Sequence, residues 1–123
     1  MTVTALDFLG IPTRDAARSR AFYRDVLGLR PDEHAEYESW AGDTCFAHWE
    51  PEKVGREFVA IRGNPIPLRV DDVAQARADL EARGVQFFGD TFDTGVCHMA
   101  IFADPDGNEL MLHHRYAHYE NRG

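Results

Sequence analysis

One internal repeat constrains this chain more than any other feature. Residues 8–29, FLGIPTRDAARSRAFYRDVLGL, align with residues 65–85, PIPLRVDDVAQARADLEARGV. Asp15, Ala17, Arg20 and Ala21 then meet Asp72, Ala74, Arg77 and Ala78 at a constant offset of 57 residues. Gly28 meets Gly84 once one residue is dropped. A repeated segment is one supersecondary unit used twice. Each copy reads as a short apolar strand, an acidic helix start, a helix of about three turns and a glycine stop.

The helices have mechanisms. Asp15, and Asp71 or Asp72, can accept hydrogen bonds from the free N–H groups of a first turn and suit the positive end of its dipole. Ser19, Phe22, Tyr23 and Val26 recur at helical spacing, and Val73, Ala76 and Leu80 repeat the stripe. Gly28 and Gly84 suit the left-handed position that closes a helix. Three strand-like stretches follow each helix, near 29–35, 36–41 and 44–50, then near 85–88, 95–103 and 109–114. Asp104-Pro105-Asp106-Gly107 suits a type I turn, which makes the last two strands a hairpin. Residues 51–63 read as a linker, with a short strand at Phe58–Ile61. The expected fold is α+β: two tandem βαβββ modules, about 4–50 and 64–114, forming one domain whose sheet curves into a cup, with a tail at 115–123.

Composition narrows the partners. At 123 residues the chain can bury roughly 65% of its unfolded surface, enough for a core without staples. Its 21 acidic against 13 basic side chains, a net charge of −8, disfavour nucleic acid and anionic membranes and favour a neutral or cationic ligand. The opening MTVTALDFLG lacks the basic and apolar regions of a signal peptide, and no apolar run nears the ~18 residues of a membrane span. We therefore expect a cytoplasmic protein with Cys45 and Cys97 reduced, although a single disulfide stays open.

AFYRDVLGL near the start, LRVDDV in the middle and IFADPDGNELMLH near the end resemble the vicinal oxygen chelate superfamily. That group spans glyoxalase I, extradiol dioxygenases, fosfomycin-resistance enzymes and bleomycin-resistance proteins. The resemblance covers about residues 5–114 and implies the fold above, a homodimer, and a cup that holds a divalent metal in the enzymes of the group. Their ligands come from the first strand of each repeat, usually His, and from its last strand, usually Glu.

Counting from the motifs puts the ligand positions at Phe8, Phe46, Pro65 and Met111. Phe and Pro donate nothing, and one thioether is a poor ligand for Mg²⁺, Mn²⁺, Fe²⁺, Ni²⁺ or Zn²⁺, which take carboxylate or imidazole. No metal and no other cofactor is expected. Strand alternation then assigns faces. Phe46 and His48 in the first copy, and Met111 and His113 in the second, should face the cup together with Cys97, Met99 and Ile101. His98, Ala100 and Phe102 should face the helices. His48 and His113 become symmetric partners, either as hydrogen-bonding groups or, with Cys97, as a His₂Cys site.

A cup relined in this way suits a hydrophobic or aromatic small molecule. The expected lining is Phe8, Trp40, Phe46, His48, Pro65 and Arg69, followed by Cys97, Met99, Ile101, Met111 and His113. Arg69 has a rim salt bridge as its alternative role, and Trp49 is assigned to packing. The leading reading is a metal-free small-molecule binder, of the kind that sequesters an antibiotic or other natural product. The alternative is an enzyme, either a lyase, isomerase or dioxygenase with displaced metal ligands or an acid–base catalyst using the histidines, with His48, His113 and Cys97 as its catalytic candidates.

Overall fold

The repeat reappears as geometry in a computed structural model, which describes residues 1–118. The chain divides into two compact units, Met1–Ile61 with Pro105–Asn108, and Arg62–Asp104 with the chain from Glu109. The first unit runs β1 (Leu9–Pro12), α1 (Ala16–Asp25), β2 (Arg30–Pro31), β3 (Glu38–Ala41) and β4 (Thr44–Trp49). The second runs β5 (Ile66–Arg69), α2 (Val73–Ala82), β6 (Phe87–Asp93), β7 (Cys97–Ala103) and β8 (Glu109–Arg115). Each unit is βαβββ with a mixed four-stranded sheet, ordered β1-β4-β3-β2 and β5-β8-β7-β6. In both sheets the first and last strands pair in parallel and the other neighbours are antiparallel.

The helices start and stop as their end residues dictate. Asp15 and Asp72 are the N-caps, accepting from the backbone N–H of Arg18 and Gln75 at 3.0 Å each. Past the helices, Gly28 and Gly84 take φ of 77° and 88°, where a side chain would be strained. After β4, still within the first unit, Pro51–Val54 forms one 3-10 turn. The short strand expected at Phe58–Ile61 does not form. Its residues are used otherwise: the Phe58 ring lies under the Arg14 guanidinium at 4.2 Å, and the Ile61 N–H donates to the Asn108 side chain at 2.8 Å.

Each sheet buries one face under one helix. In the second unit Ala100, Phe102, Leu110 and Leu112 lie on that face and pack with Val73 and Leu80 of α2. Phe102 and Leu110 are completely buried, a contribution of roughly 1.5–3 kcal/mol each. In the first unit the corresponding layer is Ile11, Tyr23, Phe46 and His48.

The turn joining β7 to β8 belongs to the first unit and fastens it. Asp106, its side chain 1% exposed, accepts from the Thr13 hydroxyl at 2.5 Å, the Arg14 N–H at 3.1 Å and the Arg18 guanidinium at 2.7 Å. Asn108 is fully buried; it donates to the Pro12 carbonyl at 2.8 Å while accepting from Ile61. A side chain bonding both ways to backbone is hard to replace, because its loss strands a buried carbonyl and a buried N–H together. Asn108→Ala should lower the unfolding free energy by about 2–4 kcal/mol in urea titrations. A change under about 0.5 kcal/mol would mean that water replaces the amide and the clasp is dispensable.

Candidate ligand site

Register decides which side chains are available to a ligand. β5 pairs with β8 so that Pro67 is opposite Met111 and Arg69 opposite His113, while β7 sets Met99 against His113 and Ile101 against Met111. Paired residues share a face. Pro67, Arg69, Met99, Ile101, Met111 and His113 therefore stand together on the face of the second sheet that α2 leaves uncovered, as alternation implies. A concavity of about 840 Å³ lies over that face, lined there by Pro67, Met99 and Met111 together with Arg69, His113 and Arg115. Asp71, His114, Ala117 and His118 complete its lining.

The first sheet has a different arrangement. β1 pairs Leu9 with Phe46, Gly10 with Ala47, Ile11 with His48 and Pro12 with Trp49. Adding the repeat offset makes Ala47 the counterpart of Met111 and Trp49 the counterpart of His113. Matching Phe46 to Met111 is thus one residue out of register, and in a strand one residue exchanges the faces. Phe46 is buried against the ring of Tyr23, with centroids 6.0 Å apart, and His48 faces α1 beside it. Neither faces a cup. Cys45, Ala47 and Trp49 carry the other face, and the 40% exposed Trp49 indole lies over Gly10, where a Cβ would sit 3.2 Å from Nε1. Besides packing there, Trp49 lines a shallow hollow of about 570 Å³ with Pro12, Arg56 and Val59.

His48 is a core histidine. Its Nδ1 meets the Ser19 hydroxyl at 2.9 Å and its Nε2 meets the Ser39 hydroxyl at 3.1 Å. Both serines are fully buried. Burial, aided by the nearby Arg20 charge, holds the imidazole pKa down to about 4. Hydroxyls can donate or accept, so the neutral ring satisfies both bonds without ionising. The serine within the apolar stripe of α1 was the sequence signal for this partner.

The remaining expected residues do not line the concavity. Phe8 precedes β1 and is 56% exposed. Trp40 lies opposite Cys45, on the uncovered face of the first sheet. Its indole N–H donates at 2.8 Å to Asp32, whose carboxyl, bound also by the Ala35 and His34 N–H groups, is held down to about 2. Pro65 precedes β5, and Ile101 shares the face of Met111, yet neither edges the concavity. Cys97 is buried with its sulfur 3.0 Å from the Thr94 hydroxyl, and both cysteines are free thiols. Cys45 donates to Glu38 at 3.1 Å, and burial and that carboxylate push its pKa up to about 11, so it is a poor nucleophile. His98 has the helix-side parity expected of it and meets Asp93 at 3.4 Å at the sheet margin. Arg115 and His118 are not among the expected lining residues, because β8 runs one residue past its expected end and both fall in the segment set aside as a tail. The rest of that tail, 119–123, lies outside the described residues.

Corrected for register, the positions that hold the metal in related enzymes read Phe8, Ala47, Pro65 and Met111. The set offers no carboxylate and no imidazole, so it does not fit a divalent cation. Among the described residues no group of three or more His, Cys, Asp or Glu side chains is arranged to hold one.

A family model described as a glyoxalase-like domain matches residues 5–113. The chain belongs to this glyoxalase-like family, within the vicinal oxygen chelate superfamily. Its fold is similar to TnmS3, an antibiotic binding protein from Streptomyces sp. CB03234, at 24% identity and a TM-score of 0.73 over 94% of this chain and 98% of that one. It is similar also to a member of the glyoxalase/bleomycin resistance protein/dioxygenase superfamily from Sphaerobacter thermophilus DSM 20745, at 23% identity, TM-score 0.71, covering 90% and 97%. Lactoylglutathione lyase from Agrobacterium tumefaciens shares the fold at 18% identity, TM-score 0.72, covering 92% and 95%. No curated protein sequence matches the chain. No helix among the described residues is long and apolar enough to cross a membrane.

His48 makes a prediction with a definite sign. Its folded pKa of about 4 lies below the ordinary 6.5, so the unfolded chain takes up a proton first as pH falls. The stability this histidine contributes is complete above pH 6.5 and drains away toward pH 4, a loss of about 3 kcal/mol at 1.36 kcal/mol per pKa unit. Urea titrations between pH 7 and 4.5 should show that slope in the wild type and a shallower one in His48→Asn. Equal slopes would contradict a neutral, buried ring.

Proposed function

We propose that this protein is a metal-free binder of a hydrophobic or aromatic small molecule, held on the uncovered face of the second sheet. The observation that carries the reading is the family's donor set itself, which here reads Phe8, Ala47, Pro65 and Met111, while the second sheet presents accessible Pro67, Met99 and Met111. Met and Pro offer polarizable, apolar contact to a flat ring and no charge to a cation. A ligand that buries ~150 Å² there gains about 4 kcal/mol, near millimolar affinity, so polar contacts must supply the remainder. One similar structure is an antibiotic binding protein, which supports a sequestering role toward an antibiotic or related natural product.

Acid–base catalysis by His48 paired with His113 has no support, since His48 is buried among Tyr23, Ser19 and Ser39. In this reading the protein is a cytoplasmic homodimer. The edge strand β1 supports the dimer, flanked as it is by exposed Leu6, Phe8 and Trp49, which a second copy would cover.

The test is metal analysis and calorimetric titration of 2-naphthol on one dimeric sample purified without chelator. Transition metal should stay below about 0.1 equivalent, and Met111→Ser should weaken 2-naphthol binding about tenfold, the loss of ~1.4 kcal/mol of apolar contact. Near-stoichiometric metal, or binding indifferent to Met111, would overturn the proposal.

A further inference from the structure

The charge around the concavity runs against the charge of the chain. Carboxylates outnumber cationic side chains 21 to 13 over the whole sequence. Among the described residues around this hollow the order reverses: two guanidinium groups, Arg69 and Arg115, stand with the imidazoles of His113 and His118 against one carboxylate, Asp71. The net charge alone favours a neutral or cationic ligand; the local arrangement favours neither.

Two of these groups are uncommitted. Arg69 and His113 are register partners on adjacent strands and project from the same face. Among the described residues neither side chain makes a hydrogen bond or an ion pair. The rim salt bridge that is the alternative role of Arg69 is absent among the described residues, Asp71 included. Elsewhere arginines are engaged: Arg18 with Asp106, Arg24 with Asp25 and Arg77 with Glu81. His114 is also engaged, its Nδ1 3.1 Å from the Val70 carbonyl. An unpaired guanidinium beside an unpaired imidazole, both next to a Met and Pro floor, presents planar N–H donors where an apolar body would end. A guanidinium fits a carboxylate with two parallel bonds, and such charged bonds are roughly twice as strong as neutral ones.

Resting on the binding reading above, we propose that the ligand is an aromatic anion, such as a carboxylate or an ionised phenol on a flat ring system. Its rings lie on Pro67, Met99 and Met111. Its anionic group meets Arg69, with His113 beside it. This supplies the polar contribution that apolar area alone leaves unfilled, and it makes Arg69 the residue that sets ligand charge.

A matched pair of probes separates this claim from the reading beneath it. Naphthalene-2-carboxylate and naphthalene-2-carboxamide have one ring system and differ in charge. Ligand-observed NMR titrations at pH 7.5 and low salt should give at least tenfold tighter binding of the carboxylate. Raising NaCl should weaken that preference, as screening requires. Arg69→Met should bring the two affinities within about threefold of each other. Lys53→Met, which removes one positive charge from the 3-10 turn of the first unit, should leave the preference intact. Equal affinities in the wild type, or a preference that survives Arg69→Met, would overturn the anion assignment while leaving the apolar site in place. Failure of both probes to bind would overturn both.

Discussion

Register in the parallel pairing of each unit's first and last strand governs everything this molecule can offer a ligand. A strand presents alternate residues to opposite faces, and one helix covers one face of each sheet. Once Leu68 is set against Leu112, the sequence Leu110-Met111-Leu112-His113 has no freedom left: the leucines go under α2 and the methionine and histidine come out. Setting Ile11 against His48 does the same in the first sheet, with the opposite chemical result. There the polar side chain goes in, and Trp49 comes out.

Much of this was legible in the sequence, for reasons that differ by element. The duplication, the capping aspartates and the terminating glycines are local signals, and local signals survive folding. β8 was legible too, because Leu110 and Leu112 alternate with Met111 and His113 as a half-buried strand should. β4 was not. Cys45, Phe46 and His48 are all buried, so hydrophobic pattern alone cannot say which parity meets the helix. The buried hydroxyls of Ser19 and Ser39 decide it, since they satisfy both imidazole nitrogens on the α1 side. Residues 58–61 have the composition of a strand, yet their backbone is engaged by Asn108 and their ring by Arg14. Tertiary partners, not propensity, set that segment.

The functional argument rests on subtraction followed by addition. Removing carboxylate and imidazole from four ligand positions takes away the chemistry that cations need, whichever residue of the Phe46–Ala47 pair is aligned. What remains on the second sheet is a hollow with an apolar floor and two uncommitted donors at its edge. Such a site can orient a flat molecule by charge and hold it by area. The first sheet has gone another way: the Trp49 indole lies over Gly10, so two copies of one module present different surfaces. Duplication supplied the frame, and side-chain divergence at a few outward positions supplied the difference.

The chain's three methionines make the central claim directly measurable, because Met99 and Met111 lie in the hollow and Met1 stands exposed at the chain start. In protein labelled with ¹³C at the methionine methyls, saturating naphthalene-2-carboxylate should shift Met99 and Met111 and leave Met1 unchanged, while stoichiometric Mn²⁺ should broaden none of them. Selective broadening of Met99 and Met111 by Mn²⁺, with no response to the organic probe, would show that a cation occupies this face and contradict the account.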